Sequence, residues 1–158
     1  MNFRCIAMPN ETADRFRQSG VDDFRNPLAR LSAAADTGYF CRHCLSQPGK
    51  GHEVLLGSWN VEPPKGYYWQ PSPIFLCAEP CTRFEQEDAI PAAVQAIQLV
   101  SARPYNSEGR LLYDLNDTVT GDRLAPLVQR CLEDPRTRYV NIHTGRPGCF
   151  LCRVERSQ

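Results

Sequence analysis

The sequence has no apolar run long enough to cross a membrane, since a spanning helix needs about 20 consecutive apolar residues. Its first residues, MNFRCIAMPN, lack the long apolar stretch and the small-residue cleavage site of a secretion signal. We therefore expect a cytoplasmic protein with no membrane association. In that compartment its eight cysteines should be mostly reduced thiols, not a framework of disulfides.

An excess of charge of one sign is also missing, because 18 basic residues balance 18 acidic ones. A neutral chain has no general field to hold a nucleic acid, so we expect no nucleic-acid partner. Lysine is scarce, with only Lys50 and Lys65 beside 16 arginines. The planar guanidinium group suits carboxylates and phosphates, which makes a small anion one candidate partner. A GC-rich genome is the simpler explanation of the same bias.

The common motifs of nucleotide and metal chemistry are absent. The sequence has no G-x-x-x-x-G-K-[ST] or G-x-G-x-x-G loop, no H-E-x-x-H zinc motif and no calcium-binding EF-hand loop. It also lacks the G-x-S-x-G turn of serine hydrolases. These absences exclude the best-known motif-defined enzyme classes and leave the cysteines as the main chemical feature.

A chain of 158 residues predicts one domain spanning 1–158. Strand-like runs joined by hairpins, with two or three helices, predict an α+β fold around a mainly antiparallel sheet. The expected strands lie at 3–8, 39–45, 52–60, 74–77, 110–119, 138–143 and 149–156, and the segment 92–105 is expected to begin as a helical turn and become a strand. The expected helices lie at 10–19, 27–35 and 120–135, the last with an apolar stripe of Leu124, Leu127 or Val128, and Cys131.

Two C-x2-C pairs, Cys41 with Cys44 and Cys149 with Cys152, supply enough thiolates for a tetrahedral zinc ion. Zinc is therefore a possible cofactor. The predicted strands weaken this hypothesis, because residues three apart on a strand point to opposite faces. Unligated buried thiols are the simpler alternative. Another pair, Cys77 and Cys81, is the weakest candidate, because Cys77 completes an apolar strand and Pro80 precedes Cys81.

A cysteine-dependent enzyme is a further alternative, with Cys149 as the nucleophile. His143 lies across a short turn and would be its base, while Arg146 would supply positive charge. No local signature of a known cysteine enzyme accompanies them, and a histidine at a strand end is more often structural.

A binding site for a small anionic molecule or a protein partner is the main hypothesis. Aromatic side chains with polar tips suit ligand clefts and interfaces, and arginines at strand ends can hold an anion. The candidate residues are Arg42, Tyr68, Trp69, Arg103 and Arg146. The alternative is that the aromatic residues cover the core and the arginines form surface ion pairs.

Several short segments, in order, resemble a known family. They are FRC near the start, Cys41-Arg42, EVLLGSWN, YYWQPSPIF, RPYNSEG, DPRTRYVNIHTGRPGCF and CRVER. They span nearly the whole chain and resemble the small bacterial proteins of the domain of unknown function 1203 family. The resemblance implies one small domain and no particular activity. It also implies that Cys44, Cys77 and Cys81 are additions to the family pattern and that some relatives lack Cys152.

The sequence as a whole predicts a small-ligand or partner-binding protein whose site lies in the Cys41, His143 and Cys149 region. Cys41 and Cys149 both begin apolar runs directly after glycine-containing turns, and the resemblance places a cysteine at each position. We therefore expect the two residues to lie close together at one end of the sheet.

Overall fold

The computed structural model describes residues 2–34, 38–61, 66–68 and 70–157. It has the α+β architecture that the sequence predicts, with two antiparallel sheets. The larger sheet consists, in spatial order, of β1 Phe3–Ile6, β8 Phe150–Arg156, β7 Tyr139–Thr144, β5 Val100–Tyr105 and β6 Asp117–Val119. The smaller sheet consists of β2 Ala29–Ser32, β3 Glu53–Trp59 and β4 Ser72–Cys77. The helices are α1 Asn10–Ser19, α2 Ala92–Gln95 and α3 Leu124–Glu133, with a 3-10 turn at Gly121–Arg123.

The larger sheet forms the main core by packing against α3. The predicted apolar stripe of this helix is confirmed, since Leu124, Leu127, Val128 and Cys131 are all buried. The predicted hairpin of β7 and β8 is also confirmed, with Val140 opposite Val154 and a bulge after Ile142. This bulge lies beside the turn that carries residues 145–149, so it shapes the surface around His143.

The smaller sheet has its own core, which α1 covers. Phe16 of α1 packs with Met8, Ile74 and Leu76 into a second buried cluster that also contains Cys41. The helix ends at Gly20, whose positive φ of 67° allows its N–H to bond the Phe16 carbonyl at 3.1 Å. None of the described helices is both long and apolar enough to cross a membrane.

Two predicted elements are wrong, and a third, the strand predicted over 110–119, is limited to Asp117–Val119. Within 27–35, residues Ala29–Ser32 form an edge strand paired with β3 instead of a helix, and residue 35 lies outside the described residues. Leu28 packs where any side chain on Gly57 would clash, so tertiary packing overrides the helical spacing. Residues 41–44 form a turn instead of a strand, and no hairpin joins this segment to β3.

Candidate metal centre

Four cysteine side chains converge between the smaller sheet and α1. We call Cys41, Cys44, Cys77 and Cys81 the four-cysteine cluster; their sulfur atoms all lie within 4.8 Å of one another. The Sγ atoms of Cys41 and Cys81 are 3.9 Å apart, as are those of Cys44 and Cys77. Tetrahedral zinc with bonds of about 2.3 Å needs sulfur separations of about 3.8 Å. The cluster is therefore close to the geometry of a single tetrahedral ion.

The first two cysteines converge because they lie in a turn. The N–H of Cys41 bonds the Ser46 carbonyl at 2.9 Å, and Leu45 has a positive φ of 50°. Such a turn brings residues three apart to the same side, whereas a strand would point them to opposite faces. The strand-based objection to the Cys41 and Cys44 pair thus does not apply.

The other two cysteines come from the end of β4 and the turn that follows it. Cys77 ends the strand opposite Val54, and the N–H of Ala78 bonds the Glu53 carbonyl at 2.9 Å, which fixes the exit of the chain. A parallel bridge between Cys41 and Phe75 holds the first turn against this strand. The backbone N–H of Cys77 points at Cys41 Sγ, 3.3 Å away.

Polar side chains around the cluster form hydrogen bonds with its cysteines. Arg17 of α1 donates to Cys81 Sγ at 3.4 Å and to the Cys77 carbonyl at 3.1 Å. The Ser46 hydroxyl lies 3.0 Å from Cys44 Sγ. Outer contacts of this kind orient metal ligands and balance the charge of thiolates.

His43 contacts the cluster from within the first turn. Its Nδ1 lies 3.1 Å from Cys81 Sγ, and its Nε2 lies 2.7 Å from Asn10 Oδ1. Burial, reinforced by Arg17, lowers the pKa of His43, so the ring is neutral at neutral pH. In the neutral ring, Nε2–H donates to Asn10 Oδ1, which leaves Nδ1 to accept a hydrogen bond from the Cys81 thiol. The His43 ring therefore contacts the four-cysteine cluster at its periphery and links it to Asn10.

The thiols of the cluster do not ionise alike. Hydrogen bonds with Cys41, Cys77 and Cys81 hold the pKa of Cys44 far below its usual range. Hydrogen bonding with Cys44 raises the pKa of Cys41, but hydrogen bonds with Cys77 and Cys81 outweigh it and lower that pKa to about 7. Hydrogen bonds with Cys41 and Cys44 raise the pKa values of Cys77 and Cys81. A cation bound among these thiols would favour their ionised forms.

The structure does not place Cys149 and Cys152 in this cluster. Cys152 is buried in the main core, where the neighbouring Cys5 thiol and burial raise its pKa well above the usual value. Cys149 follows the tight turn before β8, and its N–H bonds Thr144 Oγ1 at 2.9 Å. Arg42 links the two regions, because its Nε bonds the Phe150 carbonyl at 2.7 Å. The predicted closeness of Cys41 and Cys149 stays a prediction.

His143 and Cys149, the proposed catalytic pair, share no hydrogen bond among the described residues. The Nδ1 of His143 lies 2.9 Å from the Gly148 carbonyl, to which it donates. Its Nε2 is buried and has no partner within the described part of the chain. Burial lowers the pKa of His143 to about 4, with Arg103 adding to the effect. The ring is thus a neutral packing group that stacks edge-on against Phe150.

The candidate ligand-binding residues divide between two cavities that meet at Pro147 and Cys149. The first, which we call the tyrosine cavity, encloses about 220 Å³ and is lined by Tyr68 and Arg103. The second, the Arg42 cavity, encloses about 350 Å³ and is lined by Arg42 and Arg146. Trp69 lies outside the described residues.

Sequence analysis missed the contribution of Cys77 and Cys81 to the candidate metal centre. Their C-x3-C spacing around a proline indicates a tight turn directly after a strand, which is a suitable frame for two ligands. That spacing was the available signal. It could not indicate which other cysteines the turn would face.

Comparisons with known proteins give a family and no activity. A family described as "Protein of unknown function (DUF1203)" matches residues 38–156. This range contains all four cysteines of the cluster. No curated protein and no solved structure matches the chain.

Proposed function

The chain belongs to the DUF1203 family of proteins of unknown function, and we therefore propose its function from the site alone: it binds one zinc ion through the four-cysteine cluster. The observation that carries the proposal is the mutual approach of four sulfur atoms within 4.8 Å. Four thiols that served only for packing would have no need to converge on one point. A metal ion at their centre gives each of them a ligand bond.

The donor set favours zinc among the common metals. Thiolates are soft ligands, and a tetrahedral set of four selects zinc or iron over calcium, magnesium or manganese. Because all four sulfur atoms lie so close together, the site has room for one ion and not for a cluster of several. Zinc needs no redox partner and imposes no geometry of its own, which suits a site set by two short turns.

The proposed zinc has a structural role. Four protein ligands leave no open coordination position for substrate or water, unlike the three-ligand sites of zinc enzymes. The ligands join the turn at residues 41–44 to the end of β4, and Arg17 extends the connection to α1. The metal would thereby hold together the smaller sheet, the helix α1 that covers it and the turn at residues 41–44.

Metal analysis of the purified full chain tests the proposal. Protein prepared with zinc and then dialysed should retain about one zinc per chain, and a strong chelator should lower its melting temperature. The comparison variant is Cys131→Ser, because Cys131 is buried on α3 in the main core, whereas the four-cysteine cluster belongs to the second core. That variant should keep its zinc. Protein that retains no zinc and melts identically with and without chelator would contradict the proposal.

Thiol catalysis at Cys81 is a second candidate, favoured by one observation. Cys81, His43 and Asn10 form a chain in which each ring nitrogen of His43 meets one partner, at 3.1 Å and 2.7 Å. Such a chain can activate a thiol, whereas the hydrogen bonds with Cys41 and Cys44 that raise the pKa of Cys81 act against activation. However, the two cavities beside Pro147 are lined by Cys149 and not by Cys81. Alkylation separates the candidates: zinc should protect Cys81 together with the other three thiols, whereas a nucleophile should react first.

A further inference from the structure

Arg42 is a buried cation whose ion-pair partner is missing from the described residues. The residue is only 2% exposed. Its Nε donates to the Phe150 carbonyl at 2.7 Å, and its Nη1 donates to the Phe40 carbonyl. Among the residues that the structure describes, Arg42 makes no ion pair, and its remaining nitrogen, Nη2, makes no hydrogen bond. Two neutral carbonyls therefore orient the guanidinium group but do not neutralise it.

A charge held in this way is costly unless an anion joins it. Arginine remains charged at any pH at which proteins are normally handled. Moving such a group out of water costs free energy that paired negative charge offsets. The Cys41 thiol faces the four-cysteine cluster, whereas the guanidinium group reaches the Phe150 carbonyl of the larger sheet. The guanidinium group of Arg42 thus points away from the four-cysteine cluster. Burial lowers the pKa of Arg42 to about 10, and the nearby thiols of Cys149, Cys41 and Cys152 do not outweigh it.

The surroundings of Arg42 form an apolar cavity of about 350 Å³. Its apolar walls come from both sheets and from the segment before β5. These lining residues are Phe40, Phe75, Ile97, Leu99 and Leu151. Arg146 also lines the cavity, where Gln98 Oε1 accepts a hydrogen bond from it at 3.0 Å. A buried cation in a mainly apolar cavity is the pattern of a site for an amphipathic anion.

We propose that the Arg42 cavity binds a small carboxylate with an apolar tail. The carboxylate would accept a charge-assisted hydrogen bond from Arg42 Nη2, and the tail would lie against Phe40, Phe75 and Leu151. A phosphate fits less well, because its double charge and larger hydration shell need more donors than one guanidinium edge provides. The apolar lining favours a ligand whose remaining atoms are hydrocarbon.

Binding of sodium hexanoate to the full chain, measured by calorimetry, tests the proposal. Acetate has the charge without the tail, and hexan-1-ol has the tail without the charge. Hexanoate should bind at least about tenfold more tightly than either, because the site uses both parts. Equal affinity for acetate would overturn the role of the apolar walls. Equal affinity for hexan-1-ol would overturn the role of Arg42.

Variants locate the binding in the Arg42 cavity. Arg42→Gln should weaken hexanoate binding at least about tenfold, but loss of a buried side chain also threatens folding. Leu99 lines the cavity and is 36% exposed, so it offers a milder change. Leu99→Glu should repel the carboxylate and weaken binding at least about tenfold, while Leu99→Gln, of equal size, should weaken it less than about threefold.

Equal affinity in the two Leu99 variants would place hexanoate elsewhere and overturn the proposal. Zinc is measured in every sample, so that a loss of binding caused by loss of metal is recognised. The tyrosine cavity provides a matched control through Arg103→Gln, because Arg103 lines only that cavity of the two. This variant should bind hexanoate as the parent protein does, and a tenfold loss would move the site to the tyrosine cavity.

Discussion

Replacing Cys81 with serine should remove one of four proposed zinc ligands while changing the side chain little in size. Zinc sites of this kind bind their metal with about 10–16 kcal/mol of apparent free energy. Shared over the four sulfur atoms of the cluster, that is about 2.5–4 kcal/mol per ligand. The affinity of Cys81→Ser for zinc should therefore fall about a hundredfold or more. Competition with a chromophoric chelator at constant pH measures the change.

The matched control is Cys149→Ser. Cys149, like Cys81, is partly buried, but it lies outside the four-cysteine cluster. Its zinc affinity should equal that of the parent protein. Unchanged affinity in Cys81→Ser would refute the assignment of Cys81 as a ligand, and a large loss in Cys149→Ser would restore the C-x2-C pair at 149 and 152 as the metal site.

Three further predictions concern stability. Burial lowers the pKa of His143 from 6.5 to about 4, so the unfolded state takes up the proton first as the pH falls. Stability should then drop between about pH 6.5 and pH 4 by as much as about 3 kcal/mol, and His143→Gln should flatten that part of a urea-midpoint profile. Gly121→Ala would place its Cβ 2.3 Å from the Val94 carbonyl oxygen; we expect a loss of about 1–3 kcal/mol in chemical denaturation, against almost none for Gly66→Ala in open space. Ile142→Ala, at a fully buried position of β7, should lower the free energy of unfolding by about 2–5 kcal/mol, and a loss below about 1 kcal/mol would contradict the core assignment.

The elements that sequence analysis predicted correctly are those whose own residues determine their structure. The apolar residues of α3 repeat with the helical period, and the segment does not pair with a strand. Leu124 and Cys131 therefore identify its buried face. The segment at 27–35 has a similar stripe, yet Leu31 pairs with Val54 across an edge of the smaller sheet. That pairing depends on β3, more than twenty residues later, and local spacing carries no information about it.

The candidate metal centre was half predictable for the same reason. Cys41 and Cys44 form a recognisable pair, and the structure keeps both in the cluster. Their partners depend on which strand the turn lies against, and the bridge between Cys41 and Phe75 places the turn beside β4. Cys149 and Cys152 have the same C-x2-C spacing as Cys41 and Cys44. For that reason they looked more suitable as the other two zinc ligands than Cys77 and Cys81. The strand β8 instead carries Cys152 into the main core.

X-ray absorption at the zinc edge, recorded on the zinc-loaded full chain, tests the central claim most directly. It reports the type and distance of the atoms bound to the metal, and so distinguishes sulfur from nitrogen or oxygen ligands. The four-cysteine cluster predicts four sulfur atoms at about 2.3 Å and no light-atom ligand. A first shell dominated by nitrogen or oxygen at about 2.0–2.1 Å would show that the zinc lies elsewhere and would contradict the proposed function.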